Sequence, residues 1–347
     1  MKVITCASYH GTGSSALTDL ITEYDGVKSL GDYEFPFAYS TDGLSDLEYH
    51  LVEFQDRHSS GHALKRFEKL SRFNSGTWFN KRYEPYFNNQ YWDITKEYIE
   101  KLLSLKIPGQ TLFDTYDRGV WFHYVQSFVK KLFLKIGFNI QTLPNEFIYF
   151  SHLTEEDFLN YTRQYTTALL KAANKDDAPF LMIDQLVPSQ NIKRCLRYFN
   201  DNVYVIVVDR DPRDVYISSK YVWHDQIVPH DPESFCKWFR YTHETTYNEN
   251  MDNSRVIRIN FEDLIYNYYD TRQEIEEFLG LDKSVKKYEF THLNPKRSVV
   301  NTMQWKKYGT KSEVTYIEEH LKDYLFPFEK YSNSEIVGIE PQSVQSF

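Results

Sequence analysis

Apolar residues in this chain follow two alternating rhythms. Val3 to Tyr9 is a short, nearly unbroken apolar run. Val203 to Val208 is another, rich in β-branched residues and too short for a buried helix. Phe180 to Ile183, ending at Asp184-Gln185, and Val256 to Phe261 repeat the pattern. Helical spacing follows these runs: Leu17, Leu20 and Ile21 after the first, Ile192 to Phe199 after Gln185, and Asp270 to Leu279, which Gly280 closes as a C-terminal cap. Strands separated by helices imply right-handed βαβ crossovers, hence a parallel sheet with helices on both faces.

Residues 44 to 175 read differently, mostly at helical spacing. Ile94, Tyr98, Leu102 and Leu105 share one face, Val120 to Ile136 is amphipathic, and Thr154-Glu155-Glu156-Asp157 has the form of a capping box opening a helix toward Asn174. The block offers no strand to alternate with. It is expected as an insertion over the C-terminal edge of the sheet, where α/β folds bind ligands. The predicted fold class is therefore α/β, a central parallel sheet flanked by helices with a large helical insertion. The chain is expected as one domain over 1–347, with a core of 1–43 and 176–330 and a lid of 44–175.

Composition narrows the function. The 347 residues carry a net charge of −9, and the sequence pI is about 5.7, which argues against a general nucleic-acid coat. Aromatic residues make up 17%, too many for a disordered chain. Cys6, Cys195 and Cys236 are far apart and form neither a zinc pattern nor a disulfide framework, so a reducing, cytoplasmic setting is expected. No apolar run approaches the length of a membrane span.

Two turns carry candidate chemistry. After the first strand comes His10-Gly11-Thr12-Gly13-Ser14-Ser15 and then a helix. This arrangement aims backbone N–H groups and a helix dipole at an anion, with glycines for close approach; a tight turn with a serine N-cap is the plainer reading. After the Val203 strand comes Asp209-Arg210-Asp211-Pro212-Arg213-Asp214 and a helix that reaches Ser218. Arg210 at a strand end and Ser218 in the following helix are placed to converge on one phosphate, the first by charge-assisted bonds and the second through its hydroxyl. The alternative is a solvated charged turn stopped by Pro212.

At these residues the chain resembles the sulfotransferases that use 3′-phosphoadenosine 5′-phosphosulfate (PAPS). Tyr9 to Leu17 is similar to their 5′-phosphosulfate loop, and Val207 to Ser218 to their 3′-phosphate motif. Ile259 to Leu264, Ile275 to Leu281, Pro295-Lys296-Arg297-Ser298 and Trp305 follow in the family's order, and the likeness covers about half the chain. The resemblance implies a P-loop-kinase-like sheet and transfer of a sulfuryl group from PAPS, without a metal, to an acceptor hydroxyl on a glycan, a lipid or a small aromatic or steroid. It implies PAPS binding by Gly11, Thr12, Gly13, Ser14, Ser15, Arg210, Ser218, Lys296, Arg297 and Ser298, with the 44–175 block as the acceptor lid. One departure stands out: the family usually has Lys or Arg two positions before the second loop glycine, where this chain has Gly11. His10 beside it, or a lysine from elsewhere, is the replacement to look for. Two other readings stay open, a non-catalytic nucleotide-binding protein and a small-molecule kinase, although the Gly-Lys-[Ser/Thr] ending of kinase loops does not occur.

Sulfuryl transfer needs an in-line acceptor, a base and donors for the leaving phosphate. In several branches of the family the base is a carboxylate about twenty residues past the loop. Glu34 is the first candidate and Asp32 the second, with Tyr33, Phe35 and Phe37 placed to desolvate a carboxylate and raise its pKa. His10 is the third. His123, on an apolar helix, reads more readily as a core histidine. Asp184 and Gln185, at a strand end, are placed either to meet the acceptor or to cap the next helix. The basic stretches Lys65 to Leu70 and Lys130 to Lys135 read as solvated helix faces, or as contacts for anionic lipid or substrate that stop at the membrane periphery. The aromatics of 73 to 124 read mainly as core. Oligomeric state leaves no mark in the sequence.

Overall fold

The computed structural model describes residues 1–56, 58–140, 143, 145–247, 254–283, 286 and 288–340. It divides into two compact units, Met1–Pro36 with Asn174–Phe347, and Phe37–Ala173. Seven strands are described: Lys2–Ser8 (β1), Val27–Glu34 (β2), Leu105–Pro108 (β3), Phe147–Phe150 (β4), Phe180–Asp184 (β5), Val203–Asp209 (β6) and Val256–Asn260 (β7).

The first unit is built on a five-stranded sheet of order β2-β5-β1-β6-β7, parallel at every pairing. The β1 and β6 strands are covered on both faces and read as continuous apolar runs, with Val3, Ile4, Cys6, Val205, Ile206 and Val207 fully buried. Helix Ser14–Thr22 (α1) packs on one face with the helix Tyr268–Leu279, joining Leu17, Leu20, Ile275 and Leu279 to Ile4, Met182 and Ile206. A second apolar cluster holds Tyr216, Ile217, Phe235, Phe239 and Ile317. The chain passes from β1 to one side of the sheet (β2, β5) and then crosses to the other (β6, β7). The crevice at this change of direction lies beside the C-terminal ends of β1 and β6, where open α/β sheets bind ligands. The observed architecture is the α/β class with a central parallel sheet that the pattern predicts, and it adds an edge strand, β2, that the pattern does not show.

The second unit is mostly helical. The helices Ser59–Ser75, Tyr91–Leu102 and Glu155–Ala173 pack around buried Phe67, Tyr98 and Tyr165. The rings of Tyr98 and Tyr165 stack 4.3 Å apart, and the Tyr98 hydroxyl lies 2.7 Å from Thr162 Oγ1. Three expectations need correcting. β3 and β4 form an antiparallel pair inside the block, where the spacing indicates no strand, and Leu105 lies on β3 rather than on the helix face. His123 is exposed on the helix Val120–Lys135, not in a core. Trp78, Phe79 and Trp121 are exposed as well.

Candidate functional site

The turn after β1 is shaped by its glycines. Gly11 and Gly13 have φ of 77° and 87°, a region that L side chains rarely enter. A Cβ on Gly13 would sit 2.7 Å from the Phe261 ring, and one on Gly11 would sit 3.0 Å from Trp223. Thr12 is buried, and its hydroxyl donates to the Tyr9 carbonyl at 3.0 Å, so it shapes the turn from within. α1 then starts at Ser14 with no side chain capping its first N–H groups. Behind the turn, Tyr9 stacks on His243 at 3.7 Å, and burial pushes the His243 imidazole down to about 3.

The turn after β6 meets it. The buried Arg210 guanidinium donates to the Gly11 carbonyl at 2.9 Å, to Ser218 Oγ at 3.1 Å and to the Asn301 carbonyl at 2.6 Å. Its Nε is buried with no partner among the described residues, and its plane lies over Phe261 at 5.2 Å and Trp223 at 5.9 Å. The Ser218 hydroxyl in turn donates to Gln304 Oε1 at 2.7 Å. The eight-residue spacing therefore brings Arg and Ser into direct contact, and the arginine ties both turns together. Glycines at the point of close approach, uncapped helix N–H groups and an arginine with an orphaned buried donor form a donor set that fits phosphate.

The other charges of this turn are structural rather than solvated. Asp211 caps its helix and grips Arg213 at 2.9 and 2.7 Å, and Arg213 also reaches Glu318 at 2.7 Å. Asp214 accepts the backbone N–H groups of Met303 and Gln304, both at 2.7 Å. Burial pushes its carboxyl up to about 7, against the pull of Arg210. These bonds hold the segment that carries Asn301 against Arg210. No side-chain motif in the sequence marks Asn301, because it acts through its backbone carbonyl.

Sequence-predicted residues outside the two turns fall in different places. Lys296 pairs with Glu340 at 2.5 Å, Arg297 donates to the His292 carbonyl at 2.5 Å, and Ser298 is buried in the short helix Pro295–Ser298. Their segment reaches Arg210 through Asn301 instead. His10 Nε2 lies 3.3 Å from Asp225 Oδ2, which also accepts from Ser219 Oγ at 2.7 Å. Burial works against the Asp225 charge, but bonds from Ser219 and from the N–H groups of Val228 and Ile227 hold its carboxyl below the ordinary value. No signal in the sequence pairs His10 with Asp225.

The expected desolvation of the carboxylates past the loop needs a correction. Glu34 ends the edge strand β2, and both Glu34 and Asp32 are exposed; Phe35 is buried beside Glu34 without enclosing its carboxylate. The desolvated acid is Asp184, the register partner of Glu34 across the β2–β5 pairing and only 2% exposed. Burial, followed by the charge of Glu34, pushes its carboxyl up to about 7, while the Gln185 N–H at 3.0 Å and the Ser14 hydroxyl pull the other way. Asp184 thus lies against the first residue of α1. Gln185 next to it has φ of 56° and donates to Ser8 Oγ at 2.6 Å, fixing the end of β5 to the end of β1. Among the described residues, no group of His, Cys, Asp and Glu is arranged to hold a metal ion.

No family model and no curated protein matches the chain. Among solved structures it is similar to a sulfotransferase from Mycobacterium avium at 12% identity, over 97% of this chain and 78% of that one, with a TM-score of 0.39. It is similar to a retinol dehydratase in complex with androsterone and inactive cofactor PAP at 12% identity, over 96% and 82%, with a TM-score of 0.36. The sulfotransferase domain of the Synechococcus PCC 7002 olefin synthase gives 14% identity over 99% and 90%, with a TM-score of 0.38. Likeness at these scores decides nothing about this chain; the residues have to.

Proposed function

We propose that the protein transfers a sulfuryl group from PAPS to an acceptor hydroxyl. The observation that carries this reading is the Arg210 guanidinium, bonded at once to Gly11 of the first turn and to Ser218, with its Nε buried and unpaired. The reading gives the 3′-phosphate to Arg210 and Ser218, and the 5′-phosphosulfate to the N–H groups of Gly11 to Ser15 at the start of α1. Trp223 and Phe261 supply apolar faces beside the guanidinium. The Lys296-Arg297-Ser298 segment acts by holding Asn301 in place.

The nucleotide supplies the sulfuryl group; the chain supplies position, donors and a base. Asp184 takes the base role in preference to Glu34, Asp32 and His10, because it is the buried carboxylate beside α1 and its pKa near 7 suits proton transfer near neutrality. Glu34 acts on it electrostatically, raising its proton affinity. His10, steadied by Asp225, stands next to the position that lacks the usual cation and is the candidate donor to the departing phosphate. A glycan, a lipid or a small aromatic hydroxyl would serve as acceptor.

Absence of a cation at Gly11 favours one competing reading, a nucleotide-binding protein without turnover. Incubation with PAPS and pooled acceptors separates the two. Acceptor-dependent release of adenosine 3′,5′-bisphosphate supports transfer. Tight PAPS binding without release supports the binder. Product formed only from ATP and magnesium would make the protein a kinase and overturn both.

A further inference from the structure

The helix Val120–Lys135 turns one stripe of apolar residues outward. Trp121, Val125, Phe128 and Leu132 recur at spacings of four, three and four, which places them on one stripe, and they are 80, 60, 68 and 49% exposed. Tyr124 and Ile136 widen it. Phe122, Val129 and Phe133, on another face, are half-buried, and Gln126 is buried, so the helix has an inner face and the stripe is not that face. Leu112 and Tyr116 of the preceding short helix are exposed too, at 71 and 72%. A contiguous exposed patch with a tryptophan and a tyrosine is the signature of a contact surface.

Charge selects the occupant. No Asp or Glu occurs between Asp117 and Glu146, and this stretch carries Lys130, Lys131 and Lys135 in a chain of net charge −9. At helical spacing Lys131 and Lys135 border the stripe on one side. No described carboxylate pairs with any of the three. Two-fold pairing of the stripe with a second copy would bring lysines of like sign onto one interface, which argues against a dimer. Among the described residues no helix is long and apolar enough to cross a membrane. An apolar stripe rich in aromatics and edged by lysines on a 16-residue helix suits a helix that lies in a bilayer surface instead.

We infer that the Val120–Lys135 helix docks the protein peripherally on anionic membrane, its apolar stripe at the acyl boundary and Lys131 and Lys135 among the headgroups. The test is co-sedimentation of the full-length protein with vesicles of phosphatidylcholine alone, and with vesicles in which about a third of the lipid is phosphatidylserine. Binding to the anionic vesicles is expected, falling as salt rises. Each Lys→Ala change at 131 or 135 should lower the partition coefficient about fivefold. Trp121→Ser with Phe128→Ser should abolish binding; both side chains are exposed, so circular dichroism should report an unchanged fold. Equal binding to the two vesicle types, or binding that both variant sets leave intact, would overturn the inference. So would a solution dimer that Trp121→Ser with Phe128→Ser dissolves, because the stripe would then belong to a second copy.

Discussion

Changing Asp184 to Asn should make the protein more stable and less active at the same time. The carboxyl ordinarily titrates at 3.8 and is pushed to about 7 here, so its charged form carries a penalty of about 4 kcal/mol. Because the folded-state pKa lies above the unfolded one, the native state holds the extra proton between these values. Stability from this group is fully present below about pH 4 and is lost as the pH rises through about 7. Asparagine removes the penalty without adding charge. At pH 8 the variant should gain up to about 4 kcal/mol, less the bonds from Gln185 N–H and Ser14 that an amide accepts more weakly. Below pH 4 it should gain nothing. Denaturant unfolding of both proteins at pH 4, 6 and 8 measures this directly. Turnover should fall by about 10² to 10⁴, and the acid limb of kcat/KM near pH 7 should vanish, with PAPS affinity within about twofold. A variant that turns over normally refutes Asp184 as the base. Equal stability of the two proteins at pH 8 refutes the burial on which the argument rests.

Other consequences follow from the same geometry. Glu34→Gln should keep turnover within about tenfold and move the acid limb to lower pH, since the Glu34 charge raises Asp184; a fall of about 10² or more at the rate plateau would return the base role to Glu34. Gly13→Ala should lower nucleotide affinity by about tenfold or more, because the methyl group collides with Phe261 and φ of 87° is strained for alanine; titration of a folded variant with unchanged affinity would move the site off this turn. His10→Gln should lower turnover while adenosine 3′,5′-bisphosphate binds as before, and a loss of that binding would make His10 a nucleotide ligand instead.

Sequence pattern reaches as far as local physics does. β1 and β6 are buried on both faces and so announce themselves as apolar runs, and Arg210 and Ser218 meet because strand, turn and helix set their distance locally. β2 is an edge strand with one buried residue, Leu30, and reads Val-Lys-Ser-Leu-Gly-Asp-Tyr-Glu; nothing in its pattern separates it from a loop. β3 is exposed and β4 half-buried, and they find each other across the whole Val120–Lys135 helix, a pairing that no local window contains. The candidate base illustrates the same limit. Glu34 follows the loop at a suggestive distance, but desolvation depends on tertiary packing, and packing buries its register partner Asp184 instead. Asn301 and Asp225 act through a backbone carbonyl and a long-range contact with His10, neither of which leaves a motif.

The central claim is that Arg210 binds a nucleotide 3′-phosphate, and calorimetric titration of Arg210→Ala tests it most directly. Adenosine 3′,5′-bisphosphate and adenosine 5′-monophosphate are titrated into the wild type and the variant. Loss of a charge-assisted contact in a buried site should cost about 2–4 kcal/mol, roughly 30- to 1,000-fold in Kd, for the bisphosphate alone. The monophosphate, which lacks the 3′-phosphate, should bind both proteins alike, and this also controls for any disturbance of Gly11 and Ser218. Equal losses for the two nucleotides, or no binding of either to the wild type, would contradict the account.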